Sequence, residues 1–224
     1  MSLPYVNRSE AGRRLAEALH DYHDRHDLLI LALPRGGVPV AFEVAEALEA
    51  PLDLMLVRKL GFPGHEELAM GAIASGNVRV LNEQLVARIG VPPEMVDEVI
   101  EREQRELLRR EQAYRGNRPP PEVRGQCVIL IDDGLATGST MMAAVKAVRQ
   151  RQPASVIVAV PVAPPETVEE FRPHVDRMVC PETPWNFGGV GRWYEDFSQT
   201  SDQEVRELLG RAWSRPLASL SDKQ

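Results

Sequence analysis

Short runs of apolar residues alternate along the chain with stretches that repeat apolar residues at helical spacing. The runs at 28–33, 127–131 and 155–162 have strand length and no polar alternation, which is typical of strands buried on both faces of a parallel sheet. Similar runs at 52–60 and 175–180 are also predicted as strands. Strands that alternate with helices predict an α/β fold with a parallel sheet.

Amphipathic patterns predict the helices between these strands. The longest, at 93–115, carries mixed charge and an expected apolar stripe of Met95, Val99, Leu107, Leu108 and the stem of Arg102. Its seven acidic residues more than offset its five arginines, so we interpret it as a solvated helix with i,i+4 ion pairs. The other predicted helices run from an N-cap at Ser9 to about His23, from the PRGG turn to Leu48, from about 139 to 151, over 165–171, and over 201–213 with a capping box of Ser201 and Glu204.

The segment GFPGHEELAMG at 61–71 has glycines at both ends and an internal proline, and we predict that it is a mobile loop. Short strands are expected at 72–74 and 78–81. No internal repeat or low-complexity linker divides the chain, so one domain is predicted over 1–224. Within it, 93–115 is an inserted charged helix and 181–200 an aromatic C-terminal hood.

The composition argues mainly against certain binding partners and cellular locations. The chain has 33 acidic and 26 basic residues, a formal charge of −7, which argues against binding nucleic acid or anionic lipid. Cys127 and Cys180 lack metal-site spacing, and no signal peptide or membrane-length apolar run is evident, so a cytoplasmic protein is expected. Only three of the basic residues are lysines, Lys59, Lys146 and Lys223. Because lysine is rare in this chain, a lysine at a chemically important position is noticeable.

The most informative segment is VILIDDGLATGST at 128–140, which leaves a buried strand and opens a helix. Small residues, hydroxyls and free N–H groups at a helix N-terminus suit a phosphate monoester. The carboxylates of Asp132 and Asp133 would repel that phosphate but could accept hydrogen bonds from the hydroxyls of an adjacent ribose. The simpler alternative, two aspartates that only cap a turn, would be preferred for an isolated Asp-Asp pair.

This segment resembles the signature of the type I phosphoribosyltransferases for phosphoribosyl pyrophosphate (PRPP). These Mg²⁺-dependent enzymes, usually dimeric, transfer a phosphoribosyl group to a nitrogen, commonly on a nucleobase, and release pyrophosphate. The resemblance implies that Asp132 and Asp133 contact the ribose hydroxyls and help hold Mg²⁺ through water. It also implies that the 5′-phosphate is bound by Ala136, Thr137, Gly138, Ser139 and Thr140.

Two further segments resemble the same family. PRGGVPVAFEVAEAL at 34–48 is similar to its pyrophosphate loop, where Gly36 and Gly37 allow close approach of the backbone and Arg35 adds charge. LVRKLGFPGHEELAMGA at 56–72 resembles an Arg-Lys pair leading into a flexible active-site loop, closest to the adenine enzymes. The resemblance implies that Arg58 and Lys59 neutralise the leaving pyrophosphate.

The residues that would act on the acceptor are less defined. Glu66 or Glu67, in the predicted loop, could contact the ribosyl cation or accept a proton, and Glu67 is taken as the candidate. The tail TPWNFGGVGRWYEDF partly resembles the base-binding segment of hypoxanthine-guanine enzymes, with Phe187, or alternatively Trp185, stacking on the base. It is shorter than that segment and lacks the lysine expected after the fifth strand, so a purine-like acceptor is only a general expectation.

The resemblance therefore predicts a phosphoribosyltransferase like bacterial members of unassigned substrate. A non-catalytic PRPP or nucleotide sensor on the same fold is the alternative. Catalysis is favoured because the Arg-Lys pair and loop are retained and no DNA-binding helix pair or basic arm is present. A PRPP-synthetase-like kinase is disfavoured because it would need a second, similar domain.

Overall fold

The computed structural model describes residues 4–63 and 65–215, the side chains of 65–68 excepted. Two sheets are present, one of five parallel strands in the order β2-β1-β6-β7-β8 and one of three antiparallel strands in the order β3-β4-β5. The strands are β1 (Leu28–Ala32), β2 (Leu52–Leu54), β3 (Val57–Phe62), β4 (His65–Ala74), β5 (Val78–Leu81), β6 (Cys127–Ile131), β7 (Ser155–Ala159) and β8 (Arg177–Val179). The predicted α/β fold with a parallel sheet is confirmed.

Helices cover both faces of the parallel sheet, which explains why its strands are apolar without alternation. The helices are α1 (Arg8–Ala18), α2 (Gly37–Ala47), α3 (Glu83–Ile89), α4 (Pro93–Arg115), α5 (Ser139–Gln150), α6 (Pro165–Phe171) and α7 (Asp202–Ser214). Ile30 and Ile129 pack into the core shared with α1, α2 and α7, whereas Leu31 and Leu130 face α5 and α6. Over the two described stretches, no helix has the length and apolar character needed to cross a bilayer.

The prediction for 52–71 is wrong in two respects. The run at 52–60 is not one strand, because β2 ends at Leu54 and β3 starts a different sheet at Val57. The expected loop at 61–71 belongs mostly to a β3–β4 hairpin in which Lys59 pairs with Ala72 and Gly61 with Ala69. The expected strands at 72–74 and 78–81 are the end of β4 and all of β5, and α3 was not predicted.

Helix termini and faces differ from prediction at two places. Asn7, not Ser9, caps α1, accepting a 3.0 Å hydrogen bond from the Glu10 N–H, and α1 ends at Ala18, short of His23. Helix α4 has the predicted bounds, but its buried stripe is Val96, Val99, Ile100, Leu107 and Tyr114, while Met95, Arg102 and Leu108 are exposed. The Ser201 cap of α7 is confirmed, since its hydroxyl accepts from the Glu204 N–H at 3.1 Å.

The C-terminal end of α4 is anchored by a buried ion pair, so the helix is more than a solvated surface element. Arg115 Nε donates to Asp53 Oδ1 at 2.7 Å, and the two side chains are 4% and 5% exposed. Arg115 Nη2 also donates to the Leu54 carbonyl at 2.6 Å. These bonds fix α4 to the edge strand β2 of the parallel sheet.

Candidate active site

The centre of the candidate site lies where β1 and β6 are neighbours, at the carboxyl ends of the parallel strands. The chain leaves β1 towards one edge of the sheet and β6 towards the other, and such a switch point is where open α/β sheets bind ligands. The loops after these strands touch each other. A Cβ on Gly37 would lie 2.7 Å from the Ile131 carbonyl, and one on Gly36 would overlap the Asp133 carboxylate. The glycines of the predicted pyrophosphate loop therefore allow direct packing on the aspartate pair.

Asp132 and Asp133 follow β6 directly, and both carboxylates are largely withdrawn from solvent. Asp132 Oδ1 accepts the Asp133 N–H at 2.8 Å. Burial, together with the neighbouring Asp133 carboxylate, raises the pKa of Asp132 well above its ordinary value. Burial also raises the pKa of Asp133, although Arg8 opposes that rise. A pair of desolvated carboxylates attracts hydroxyl donors and positive charge.

Arg8 is a site residue that the sequence analysis missed. Its Nε donates to Asp133 Oδ2 at 2.8 Å, its Nη1 donates to the Ser198 carbonyl at 2.7 Å, and its guanidinium lies 4.1 Å from the centre of the Phe197 ring. The residue stands at the first turn of α1, 125 positions before its aspartate partner. No local sequence pattern predicts this pairing, because it forms only when the fold brings the start of α1 next to the loop after β6.

The aromatic tail joins the N-terminal segment to cover the aspartate pair, in the region predicted as a hood. The Tyr194 hydroxyl donates to the Asp133 carbonyl at 2.6 Å. Tyr5 stacks at 5.6 Å from the Tyr194 ring, and its N–H donates to the Trp193 carbonyl at 2.8 Å. Tyr194 thus contacts Asp133 directly, and Phe197 contacts its partner Arg8, although neither aromatic residue was predicted for the site.

The two predicted base-binding residues lie farther along the hood. Trp185 is 90% exposed, an unusual state for a tryptophan. Phe187 is half-buried, and its carbonyl accepts the Trp193 indole N–H at 3.0 Å. Both follow β8 and therefore belong to the same carboxyl edge of the sheet as the aspartates. Their role in base binding stays a prediction.

The predicted phosphate loop has the geometry of an anion site. Gly138 has φ of +66° and caps α5, whose first N–H groups lack partners within the helix. The Thr167 hydroxyl donates to the Ala136 carbonyl at 2.8 Å and holds the loop against α6. Around this end of α5 the exposed residues are Ala136, Thr137, Ser139 and Thr140.

Thr137 and Ser139 open onto a cavity of about 620 Å³ between α5 and the antiparallel sheet, called here the lysine cavity. Two of the three lysines of the chain, Lys59 and Lys146, line it. Lys146 stands seven residues after Ser139 and so on the same face of α5. It was not predicted, because an isolated lysine on a helix gives no signal by itself.

The predicted Arg-Lys pair is divided between the two faces of the antiparallel sheet. Lys59 faces the lysine cavity, next to the phosphate loop rather than the pyrophosphate loop. Arg58 faces α4, where its Nε donates to a Glu103 carboxylate oxygen at 2.9 Å. Adjacent residues of a strand point to opposite faces, so the pair could not act as one unit on one ligand.

Arg35 points from the pyrophosphate loop towards α4 and α7. Its Nη1 lies 3.5 Å from Asp202 Oδ1, an oxygen that also accepts the Tyr114 hydroxyl at 2.7 Å. The peptide bond between Pro34 and Arg35 is cis. Together these residues border a second cavity of about 270 Å³, called here the arginine cavity.

In the described part of the chain, the aspartate pair is the candidate donor set for a metal ion at this site. Over residues 4–63 and 65–215, excluding the side chains of 65–68, no group of three His, Cys, Asp or Glu could hold a metal ion. Mg²⁺ is commonly held by one or two carboxylates with waters and substrate phosphates, so Asp132 and Asp133 fit that ion when the substrate supplies oxygens. The side chain of Glu67, the predicted proton acceptor, lies outside the described part of the chain.

The family model for the phosphoribosyl transferase domain matches residues 6–195. The chain belongs to this family. The phosphoribosyltransferase match covers both loops, the aspartate pair and most of the hood, so the family expected from the sequence motifs is confirmed.

Relatives extend the match over almost the whole chain. A Mycobacterium tuberculosis protein named "Putative phosphoribosyl transferase Rv0571c" is 43% identical over 208 residues, which are 93% of this chain and 47% of that protein. This phosphoribosyltransferase chain therefore spans about half the length of the curated relatives it matches. The crystal structure of TT1426 from Thermus thermophilus is 39% identical, has a TM-score of 0.83, and is matched over 92% of this chain and 98% of that one.

Proposed function

We propose that this chain transfers the 5-phosphoribosyl group of PRPP to a nitrogen acceptor, a purine-like nucleobase, and releases pyrophosphate. The observation that carries the proposal is the partly buried Asp132–Asp133 pair at the sheet switch point. The pair stands between a glycine loop on one side and the phosphate loop of α5 on the other. A ribose over the aspartates would place its 5′-phosphate and its C1 substituent on those two loops.

In this proposal, each chemical group of PRPP is bound by a different part of the chain. Asp132 and Asp133 accept hydrogen bonds from the ribose hydroxyls, and the N–H groups of 136–140 bind the 5′-phosphate. The backbone of Gly36 and Gly37, with the Arg35 side chain, faces the pyrophosphate. Lys59 belongs to the 5′-phosphate end because it shares the lysine cavity with Thr137 and Ser139. Arg58 has a structural partner in Glu103 and is left out.

The reaction breaks the bond between C1 and the pyrophosphate oxygen and forms a bond from C1 to the acceptor nitrogen, which then loses its proton. Positive charge develops on the ribose during this displacement, and the desolvated aspartates lie beside it. When bound, Mg²⁺ would neutralise the leaving pyrophosphate, held from the protein side by Asp132 and Asp133 through water. The β3–β4 hairpin replaces the predicted flexible loop as the segment that excludes water, and Glu67 remains the candidate proton acceptor.

The residues proposed to bind the acceptor base are chosen from the sequence resemblance. We retain Phe187 and Trp185 as candidates for stacking on the base, since an exposed tryptophan at the carboxyl edge of the sheet offers a free aromatic face. The homodimer and the cytoplasmic location also remain predictions. All of these proposals concern the chain itself and not the longer relatives.

A thermal-shift comparison tests the proposal. The wild type and an Asp132→Asn/Asp133→Asn double variant are heated with PRPP and Mg²⁺, and with a panel of bases and mononucleotides. PRPP should raise the Tm of the wild type, and the double variant should lose most of this rise. Two charge-assisted hydrogen bonds at ~1.5–3 kcal/mol each correspond to at least about a hundredfold loss of affinity. Turnover of PRPP with the identified acceptor should fall by at least the same factor.

The result separates the proposal from its alternative. Turnover that survives in the double variant would contradict the assignment of the aspartates. A wild type that is stabilised by PRPP but never releases pyrophosphate with any acceptor would favour the sensor.

A further inference from the structure

The arginine cavity is built by four segments of the chain that meet beside the pyrophosphate loop. Pro34 and Arg35 come from the loop after β1, Leu56 from the link between β2 and β3, Asp202 from the start of α7, and the rest of the wall from the C-terminal half of α4. From α4 the cavity receives Arg109, Arg110, Ala113 and Tyr114. The long charged helix, which the family resemblance leaves without a role, thus reaches the edge of the candidate site.

The charge of this cavity opposes that of the whole chain. Its lining contains three guanidinium groups, those of Arg35, Arg109 and Arg110, and one carboxylate, that of Asp202. Three positive groups against one negative give the lining a formal charge of +2, in a chain whose net charge is −7. A local excess of positive charge in a concave site attracts small anions.

The side chains of Arg109 and Arg110 share one carboxylate, that of Glu106, in ion pairs exposed to solvent. Arg109 Nε donates to one Glu106 oxygen at 2.7 Å and Arg110 Nε donates to the other at 2.8 Å. These two hydrogen bonds lower the pKa of Glu106 to about 2, so its carboxylate stays charged. Glu106 itself does not line the cavity. Arg109 Nη2 also donates to a Glu106 oxygen at 3.0 Å, so the Nη1 group of Arg109 and the Nη groups of Arg110 are the donors that Glu106 leaves for phosphate oxygens.

The single acidic group of the cavity is already engaged. Asp202 accepts the Tyr114 hydroxyl at 2.7 Å, while its contact with Arg35 is 3.5 Å long. An incoming anion would thus compete with a weak contact for Arg35. The buried Arg115–Asp53 pair, one residue beyond Tyr114, keeps this end of α4 at a fixed distance from the sheet.

We propose that Arg109 and Arg110 of α4, together with Arg35, bind the pyrophosphate group of the substrate and product, so that α4 completes this end of the site. The inference rests on the proposed function for the identity of the ligand. It assigns to α4 two ligand-binding residues that lie outside the motifs shared with the family.

Calorimetric titration with two separate probes, inorganic pyrophosphate and ribose 5-phosphate, tests the inference. An Arg109→Gln/Arg110→Gln variant should bind pyrophosphate at least about tenfold more weakly, since two charged hydrogen-bond donors are lost. Its affinity for ribose 5-phosphate should be unchanged. Arg105→Gln is the matched control, because Arg105 is exposed on the same helix and outside the cavity, and it should leave both affinities unchanged. Glutamine preserves helix propensity, and an unchanged Tm verifies the fold.

The possible outcomes separate this inference from the proposed function. Pyrophosphate binding that is absent in the wild type, or equal in the wild type and the double variant, overturns the role of α4. In either case ribose 5-phosphate binding and PRPP turnover can persist, and the proposed function then still stands. Pyrophosphate binding lost only in the double variant supports the inference, even if no acceptor gives turnover.

Discussion

The lysine cavity borders the phosphate loop, the arginine cavity borders the pyrophosphate loop, and the two are built from different cations. The lysine cavity combines Lys59 and Lys146 with the carboxylates of Glu83 and Glu170 and with apolar groups such as Met142 and Phe171, next to the first N–H groups of α5. The arginine cavity is smaller and more polar, with three guanidinium groups. Under the proposed function, the phosphate monoester is bound mainly by backbone N–H groups with help from lysine ammonium groups, whereas the pyrophosphate is bound by guanidinium side chains.

The largest expected effect comes from releasing α4 from the sheet. Arg115→Gln leaves the buried Asp53 carboxylate without its counter-charge, which costs about 3–5 kcal/mol for a pair of this kind. Urea unfolding measures the loss, and calorimetry should find pyrophosphate binding weakened while ribose 5-phosphate binding persists. Arg105→Gln again serves as control and should stay within about 0.5 kcal/mol of the wild type. A loss below about 1 kcal/mol for Arg115→Gln would show that the pair does not anchor α4.

A second prediction tests whether Lys59 belongs to the 5′-phosphate end. Lys59→Gln should weaken ribose 5-phosphate binding about tenfold, near 1.4 kcal/mol, because a charged donor is lost from the lysine cavity. Pyrophosphate affinity should not change. Arg58→Gln is the matched control on the neighbouring residue, since its guanidinium pairs with Glu103 on the other face. The comparison fails if Arg58→Gln has the larger effect on either ligand, or if Lys59→Gln weakens pyrophosphate binding instead.

The smallest effect concerns stability at the aspartates between the two cavities. Asp132→Asn should stabilise the fold by about 1 kcal/mol at neutral pH while it lowers activity, because it removes a desolvated carboxylate but keeps the acceptor for the Asp133 N–H. The pKa of Asp132 is raised in the folded state, so the folded protein binds its proton more tightly than the unfolded chain does. Wild-type stability therefore falls as pH rises from the ordinary aspartate range through the raised pKa.

The pH dependence provides the control for this effect. The gain of Asp132→Asn should vanish in acid, below the ordinary pKa of aspartate, and reach its full size above the raised value. Asp133→Asn should give a smaller gain, since Arg8 offsets part of the desolvation that raises the pKa of Asp133. Denaturant titrations at several pH values measure both variants. A gain that is independent of pH, or larger for Asp133→Asn, would contradict the electrostatic explanation.

Much of the parallel sheet and its site loops follows from the sequence because the signals are local. Runs such as 28–33 and 127–131 are buried on both faces, so continuous apolar residues mark them clearly. The loops after them carry their glycines and acids at fixed offsets, and their contact through Gly36 and Asp133 follows from the order of strands.

The β3–β4 region could not be predicted in the same way. Its glycines indicate a loop, yet Gly71 lies inside β4, where a Cβ would overlap the Val80 carbonyl of the neighbouring strand. The division of 52–60 between two sheets occurs at Met55 and Leu56, which are both buried and continue the apolar run. Periodicity alone does not distinguish one long strand from two shorter ones.

The missed site residues share one cause, which is distance along the chain. Arg8 pairs with an aspartate 125 residues later, and Arg109 and Arg110 line one cavity with Arg35 of the pyrophosphate loop, near the end of α4 that a buried ion pair anchors. On the sequence each of these arginines is one of 23. Only the folded structure separates the arginines that line a cavity from those that face solvent.

The most direct test of the account is isotope exchange between labelled pyrophosphate and PRPP, with Mg²⁺ and a panel of mononucleotides. The account predicts label in PRPP for the wild type with at least one mononucleotide, and none above background for Asp132→Asn/Asp133→Asn. Absence of exchange in the wild type with every mononucleotide, while PRPP still raises its Tm, would contradict catalysis. Exchange that persists in the double variant would contradict the site.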